Sequence, residues 1–427
     1  MTKFEYPQVG EVIYRDTLPN GLRLSVMTKP GYSRCHAYFA TNYGGADRRF
    51  RLGGKFIDTP AGVAHFLEHK MFDMPDGSNA LSELAANGAE PNAYTAANIT
   101  AYYFDCTNSF YENLESLLRF VSTPYFTEES VQKEQGIIAQ EIRMYEDEPG
   151  SVVFNSLMGC LYDHHPIRDD VAGTVESIAE ISAQTLYDCH KVFYSPCNMS
   201  LCVVGDIDPE KVRATALRLL PSAAGEIPVK DYGEPEGLLP VRPRFYRAME
   251  VSAPQFMLGC KIRPENQGVR SLRQKLLAGA ALSYLYSRSS PFYTRLYGEG
   301  IINTDFYIEL YHAADTATIL AGGESRDSER VLSEMLADAR KAADNGLDKA
   351  LWNRIKKSAY GARVRALSSF GGLCASMADA DFAGYNCLDS FSVMDSITAE
   401  EVQTFIKENI RPERFAMSVI TPAAKEA

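Results

Sequence analysis

The sequence predicts an α+β chain built from two related parts. Three observations lead there. Short β-branched and aromatic runs alternate with longer amphipathic stretches in both halves. One order of elements, strand–helix–helix, occurs at 100–141 and again at 316–361. Between the halves, 221–243 carries Pro221, Gly225, Pro228, Gly233, Pro235, Gly237, Pro240 and Pro243, the composition of a linker. A chain of 427 residues is also too long for one ordinary core. The expected division is 1–220, a linker at 221–243, and 244–427.

In chain order, 22–27 alternates like a strand after the turn Asn20-Gly21, and 35–40 follows as a second strand. Thr59-Pro60 reads as an N-cap with Pro at the first helical position, opening a helix over 60–72. A helix at 79–86 ends at Asn87-Gly88. Pro91 then suits an edge strand, with 99–106 pairing beside it. Helices are expected at 110–121 and 127–146, the second stopped by Pro149-Gly150. A helical run at 152–160 precedes the break at His165-Pro166. Ser182 opens a further helix, and 199–204 closes the first half as a strand. In the second half, strands at 256–261 and 316–320 flank an apolar helix at 275–286. Helices then start at Ser328 and Asp348.

The helix at 60–72 carries His65-Phe66-Leu67-Glu68-His69, an H-x-x-E-H motif. His65 and His69 are one helical turn apart and point the same way, with Glu68 beside them. Two imidazoles so placed chelate one divalent metal, and the carboxylate can take a proton from an attacking water. This is the inverted order of the H-E-x-x-H zinc-protease motif. With 7 His and 55 acids in the chain, such a motif arises by accident on the order of once or twice in a hundred sequences. The surrounding Val63, Ala64, Leu67 and Met71 bury the helix, where unpartnered histidines are costly.

A catalytic zinc takes three protein ligands. The helix from Thr127 offers Glu134 and Glu141, two turns apart on a face shared with Ile138 and Tyr145. Glu141 is assigned as the third ligand to a single Zn2+. Glu134 is assigned to the catalytic group as an outer residue orienting the groups around the metal and its water.

A formal charge of −12 argues against nucleic acid as a partner. Nine scattered cysteines without C-x-x-C read as reduced thiols, and a cytoplasmic location is expected. The opening residues lack the organisation of a signal peptide, and no apolar run has the length of a membrane span.

The H-x-x-E-H motif and the glutamate pair resemble those of the pitrilysin-like (insulinase) zinc peptidases. The resemblance extends over nearly the whole chain. It includes Leu18-Pro19-Asn20-Gly21-Leu22, Gly88-Ala89-Glu90-Pro91-Asn92-Ala93-Tyr94-Thr95, His165-Pro166 with Gly173, and Asn198-Met199 leading to Val204-Gly205-Asp206. Length and phrasing look like the short bacterial branch, similar in extent to mitochondrial processing peptidase-like subunits. The resemblance implies two duplicated α+β domains, each a mainly antiparallel sheet with helices packed on one face, together forming one half of a clamshell around a chamber. It implies zinc-dependent endopeptidase activity on short or unstructured peptides. It further implies an edge strand at Asn92, Ala93 and Tyr94 onto which the substrate adds.

One stretch departs from the family pattern. Where related chains carry Arg and Tyr in a motif resembling L-R-E-x-x-G-L-A-Y, this chain has Tyr297 and Asn303. The expectation is a heterodimer: this chain brings zinc, and a related partner without H-x-x-E-H supplies the Arg/Tyr pair. A homodimer would lack that pair. The alternative is a non-catalytic scaffold of the same fold that binds zinc and captures or matures peptides.

Overall fold

The computed structural model describes residues 1–423. Ten strands belong to the first compact unit: β1 (Thr2–Tyr6), β2 (Glu11–Thr17), β3 (Arg23–Thr28), β4 (Cys35–Thr41), β5 (Arg49–Leu52), β6 (Lys55–Asp58), β7 (Ala89–Thr95), β8 (Thr100–Cys106), β9 (Met199–Gly205) and β10 (Val229–Lys230). Seven form one sheet in the order β1-β2-β3-β9-β4-β8-β7, and β10-β5-β6 form a small second sheet. In the large sheet only β3 and β9 are parallel; every other pair is antiparallel. The helices of the first half are α1 (Val63–Lys70), α2 (Ala80–Ala86), α3 (Phe110–Ser122), α4 (Glu128–Glu146), α5 (Pro149–Leu161), α6 (Val175–Ala179), α7 (Ala183–Phe193) and α8 (Pro209–Leu219).

The second unit repeats the plan. Its strands are β11 (Arg244–Met249), β12 (Gln255–Ile262), β13 (Tyr307–Ala313), β14 (Thr316–Glu324) and β15 (Phe415–Pro422), in the order β11-β15-β12-β14-β13. That order matches β3-β9-β4-β8-β7 strand for strand, including the one parallel pair, β11 with β15. The helices α9 (Gly268–Tyr286), α10 (Pro291–Gly298), α11 (Ser328–Asn345), α12 (Lys349–Ala366), α13 (Phe370–Ala383), α14 (Ser390–Ser396) and α15 (Ala399–Asn409) fall at corresponding places. The expected repeat is therefore β8-α3-α4 and β14-α11-α12. The α+β class and the duplication hold.

The two units are not contiguous in sequence. Unit 1 comprises Met1–Ile142, Asp170–Tyr232 and Val364–Leu388; unit 2 comprises Arg143–Asp169, Gly233–Arg363 and Asp389–Ala427. The passage from Tyr232 to Gly233 lies inside the 221–243 stretch, but a division into 1–220 and 244–427 misplaces two segments. α5 packs on β12 and β15 of unit 2, while its counterpart α13 packs on β4 and β9 of unit 1. Each repeat has given one helix to the other.

This exchange explains why β4 and β9 are buried along their whole length. Ala37, Phe39, Leu201 and Val203 join the main core with α1 and α3. The opposite face is covered by α13, whose Asp381 is 5 % exposed. A buried carboxylate must be compensated. Ser200 Oγ donates to Asp381 Oδ2 at 2.7 Å and Ser25 Oγ at 3.2 Å, and Arg15 pairs with Oδ1. Gly371 lets α13 approach closely, since a Cβ there would stand 3.3 Å from the His36 ring.

Two local expectations are corrected. The H-x-x-E-H helix starts at Val63, not Pro60. Thr59 is held by Arg48, its N–H and hydroxyl both donating to the Arg48 carbonyl at 2.8 and 3.0 Å. Gly62 is the N-cap at φ +92°, and a Cβ there would meet Ala172 O at 2.4 Å, so only glycine fits. Pro149 does not merely stop α4. It is the first residue of α5, where its missing N–H costs nothing, and Glu148 caps the new helix through Gly150 N.

Replacing Asp381 with alanine leaves Ser25, Ser200 and Arg15 without their shared acceptor. The Asp381→Ala chain is expected to lose about 3 kcal/mol of stability in urea unfolding. A loss under about 0.5 kcal/mol, the range of ordinary surface changes, would mean that α13 docks by apolar contact alone.

Candidate metal centre

α1 lies against β7 and β8 in unit 1. Its Val63, Ala64, Phe66 and Leu67 are sealed in the core, each large apolar side chain contributing about 1.5–3 kcal/mol. That anchoring leaves His65 and His69 on the other side, rings 4.6 Å apart at 63°. α4 brings Glu134 and Glu141 to them, held by Val131, Ile138 and Ile142 in the same core.

One ligand atom from each of His65, His69 and Glu141 lies within 4.8 Å of the other two. His65 Nε2 is 3.8 Å from Glu141 Oε1, and His69 Nε2 is 3.5 Å from Glu141 Oε2. Ligands of a tetrahedral zinc stand about 3.4 Å apart. His65 Nδ1 is buried with no hydrogen-bond partner. Two imidazoles and one carboxylate at this spacing fit a zinc ion, and among the described residues no other His/Cys/Asp/Glu group does so.

His69 Nδ1 lies 3.0 Å from Glu134 Oε1, so Nδ1–H donates to the carboxylate and Nε2 is left as the electron-pair donor. Burial acts to lower the pKa of His69, but the Glu134 hydrogen bond and the nearby carboxylates outweigh it and hold it above the ordinary value. For His65, burial dominates, the His69 charge adds to it, and the pKa falls to about 4. His65 is thus neutral and ready to ligate at physiological pH. Burial also opposes the charge on Glu134, which nevertheless lies below the ordinary value because His69 and Lys70 stabilise the anion.

Glu68 does not face the His65–Glu141 pair as a fourth ligand. Thr95 Oγ1, at the end of β7, donates to its Oε2 at 2.9 Å. Burial raises the Glu68 pKa above the ordinary carboxylate value, partly offset by that hydrogen bond. Sequence reasoning missed Thr95 as a site residue. The alternation of β7 was the available signal, because it sets Ala93 and Thr95 on the α1 side.

Asn92, Ala93 and Tyr94 lie on β7, the edge of the large sheet. Ala93 packs toward the core, whereas the Tyr94 hydroxyl reaches Tyr38 OH at 2.6 Å on the other face. Asn92 Oδ1 accepts from Ala93 N at 2.8 Å. In unit 2, Tyr297 is half exposed and stacks on Tyr293 at 5.6 Å, while Asn303 Nδ2 donates to Glu324 Oε2 at 3.0 Å.

Residues 53–175 match the family model of insulinase (peptidase family M16), and residues 180–359 match the peptidase M16 inactive domain. The chain is 34% identical to the uncharacterized zinc protease YmfH of Bacillus subtilis (strain 168), over 98% of each chain. The chain belongs to peptidase family M16. A crystal structure of an M16-like peptidase from Alicyclobacillus acidocaldarius superposes with a TM-score of 0.92 at 30% identity, covering 99% of this chain and 100% of the other. A protease from Helicobacter pylori shares the fold, with a TM-score of 0.81 at 19% identity over 96% and 99% of the two chains. The M16 division into an insulinase part and an inactive part agrees with the two helices at equivalent positions: α1 carries H-x-x-E-H, and α9 has neither histidine nor acid. Among the described residues no helix is long and apolar enough to cross a membrane.

If the three-residue group is the metal site of this M16 chain, His65→Ala should abolish stoichiometric zinc in the purified protein, measured by atomic absorption, with the fold retained. Zinc still present at one per chain would place the ion elsewhere.

Proposed function

We propose that this chain is the zinc-bearing subunit of a peptidase that hydrolyses short or unstructured peptides inside a closed chamber. The observation that carries the reading is the convergence of His65, His69 and Glu141 with an unligated, buried Glu68 beside them. His65, His69 and Glu141 would hold one zinc, which when bound polarises the scissile carbonyl and lowers the pKa of water.

The chain's own residues supply the remainder. Glu68, held at Oε2 by Thr95, keeps Oε1 for the proton of the attacking water and returns that proton to the amine as the C–N bond breaks. Its raised pKa brings it nearer to that of a proton carrier at neutral pH. Glu134 holds His69 in one tautomer. The free edge of β7 accepts an extended peptide through backbone hydrogen bonds, with Asn92, Ala93 and Tyr94 alongside. Recognition by backbone gives weak sequence preference and selects unstructured substrates.

Tyr297 and Asn303 cannot supply the Arg and Tyr that related chains bring to the substrate. We therefore assign the working enzyme to a heterodimer with a related chain that supplies them. The nine described cysteines form no disulfide with one another, which supports a reducing, cytoplasmic setting.

With the partner present, Glu68→Gln should retain zinc and lose about 10²–10⁴-fold in kcat on an unstructured peptide. Wild-type activity should vanish with a chelator. Retained turnover in Glu68→Gln would reject the proton-transfer role. Full turnover by the isolated wild-type chain would reject the heterodimer. Zinc binding without any cleavage, partner included, would favour the peptide-capturing scaffold.

A further inference from the structure

Lys70 ends α1, one residue after His69, and its side chain is 2% exposed. Phe66, Leu67 and Met71 around it are buried apolar residues. A buried ammonium is costly without compensation, and an apolar side chain of the same length would pack there without that cost. Lys70 has two anionic partners. It pairs with Asp73, and its Nζ is 3.9 Å from Glu134 Oε2. Asp73 is 43% exposed at its side chain, so it could be satisfied by water and does not itself require a buried cation. Asp73 is fixed by the backbone: its N–H donates to Lys70 O at 3.3 Å, and it bridges to Asn79.

The two oxygens of Glu134 are thus divided. Oε1 is on His69 Nδ1 at 3.0 Å, and Oε2 faces Lys70. A carboxylate held at one oxygen can swing about its terminal torsion, which is soft. Held at both, it keeps its plane, and with it the orientation of the His69 ring.

We infer that Lys70, backed by Asp73, is a positioning residue of the metal centre that fixes Glu134 against His69 Nδ1. The inference rests on the assignment of His65, His69 and Glu141 as metal ligands. The relay runs Asp73–Lys70–Glu134–His69. Its role is distinguishable from simple electrostatics by sign. A cation acting only through space weakens binding of a dication, so its removal would tighten zinc. A cation that fixes Glu134 strengthens binding, so its removal loosens zinc.

The test is the zinc dissociation constant of the full chain, measured by competition with a chromophoric chelator. Loss of an outer-shell partner typically costs 10–100-fold in metal affinity, so Glu134→Gln should fall in that range and Lys70→Met should weaken binding by about 10-fold. Asp73→Asn should weaken it in the same direction by less. Lys70→Met added to Glu134→Gln should cost nothing further, because both act through one carboxylate. Unchanged or tighter zinc in Lys70→Met overturns the inference, as does full additivity with Glu134→Gln. Should Lys70→Met fail to fold, Lys70→Gln, which also removes the charge, decides in its place by the same criterion. A wild-type chain that binds no zinc overturns the metal-centre assignment and this inference together. Wild-type binding with Lys70→Met unchanged overturns this inference alone.

Discussion

The site depends on the compensation of negative charge in one largely buried corner of unit 1. Glu68, Glu134 and Glu141 meet there beside the imidazoles of His65 and His69 and the Lys70 ammonium, with Lys133 also stabilising the Glu134 anion. Without partners such a cluster would protonate or open toward solvent. Each carboxylate instead has its own assignment. Thr95 takes Glu68, His69 and Lys70 take Glu134, and Glu141 faces the two Nε2 atoms. The differing pKa directions of Glu68 and Glu134 follow from burial set against these neighbours: burial raises both, the neutral Thr95 hydroxyl offsets it only in part at Glu68, and the His69 imidazole with the Lys70 ammonium outweighs it at Glu134. Environment, not residue type, sets the two glutamates apart.

Much of this was legible before any coordinates. Helical periodicity alone places His65 beside His69 and Glu134 beside Glu141, because both pairs are spaced by whole turns. What periodicity does not show is which helix meets which strand. Thr95 and Lys70 escaped for that reason: the first acts through packing of β7 on α1, the second through packing of α4. Pro60 misled because an N-terminal proline is a local signal, whereas the helix start is set by Gly62 against Ala172. The repeat was visible as an order of elements, but the reassignment of α5 and α13 was not. Sequence order carries no information about which of two similar sheets a helix will cover.

The duplicated plan also shows how the H-x-x-E-H motif is confined to one copy. The strand orders of the two sheets agree, and α1 and α9 occupy equivalent places. α1 is short and ends in the charged run Glu68-His69-Lys70, whereas α9 is 19 residues long and buries Leu276, Ala280, Leu285 and Tyr286. A helix freed of polar obligations can pack as core. The second copy keeps the scaffold and has apolar residues where the first has the H-x-x-E-H motif, which accords with its match to a domain described as inactive.

The exchange of α5 and α13 has a consequence for biosynthesis. Unit 1 takes its last segment from Val364–Leu388, yet most of it has been made by Tyr232. A chain growing at 5–20 residues per second reaches Leu388 roughly ten seconds or more after that point. Throughout that interval Ser25 and Ser200 face a missing helix, and one side of β4 and β9 stands open to water. The nascent protein therefore carries every residue of the His65–His69–Glu141 group while one face of its sheet is still uncovered. The order of synthesis makes the unit that carries the H-x-x-E-H motif the one that waits.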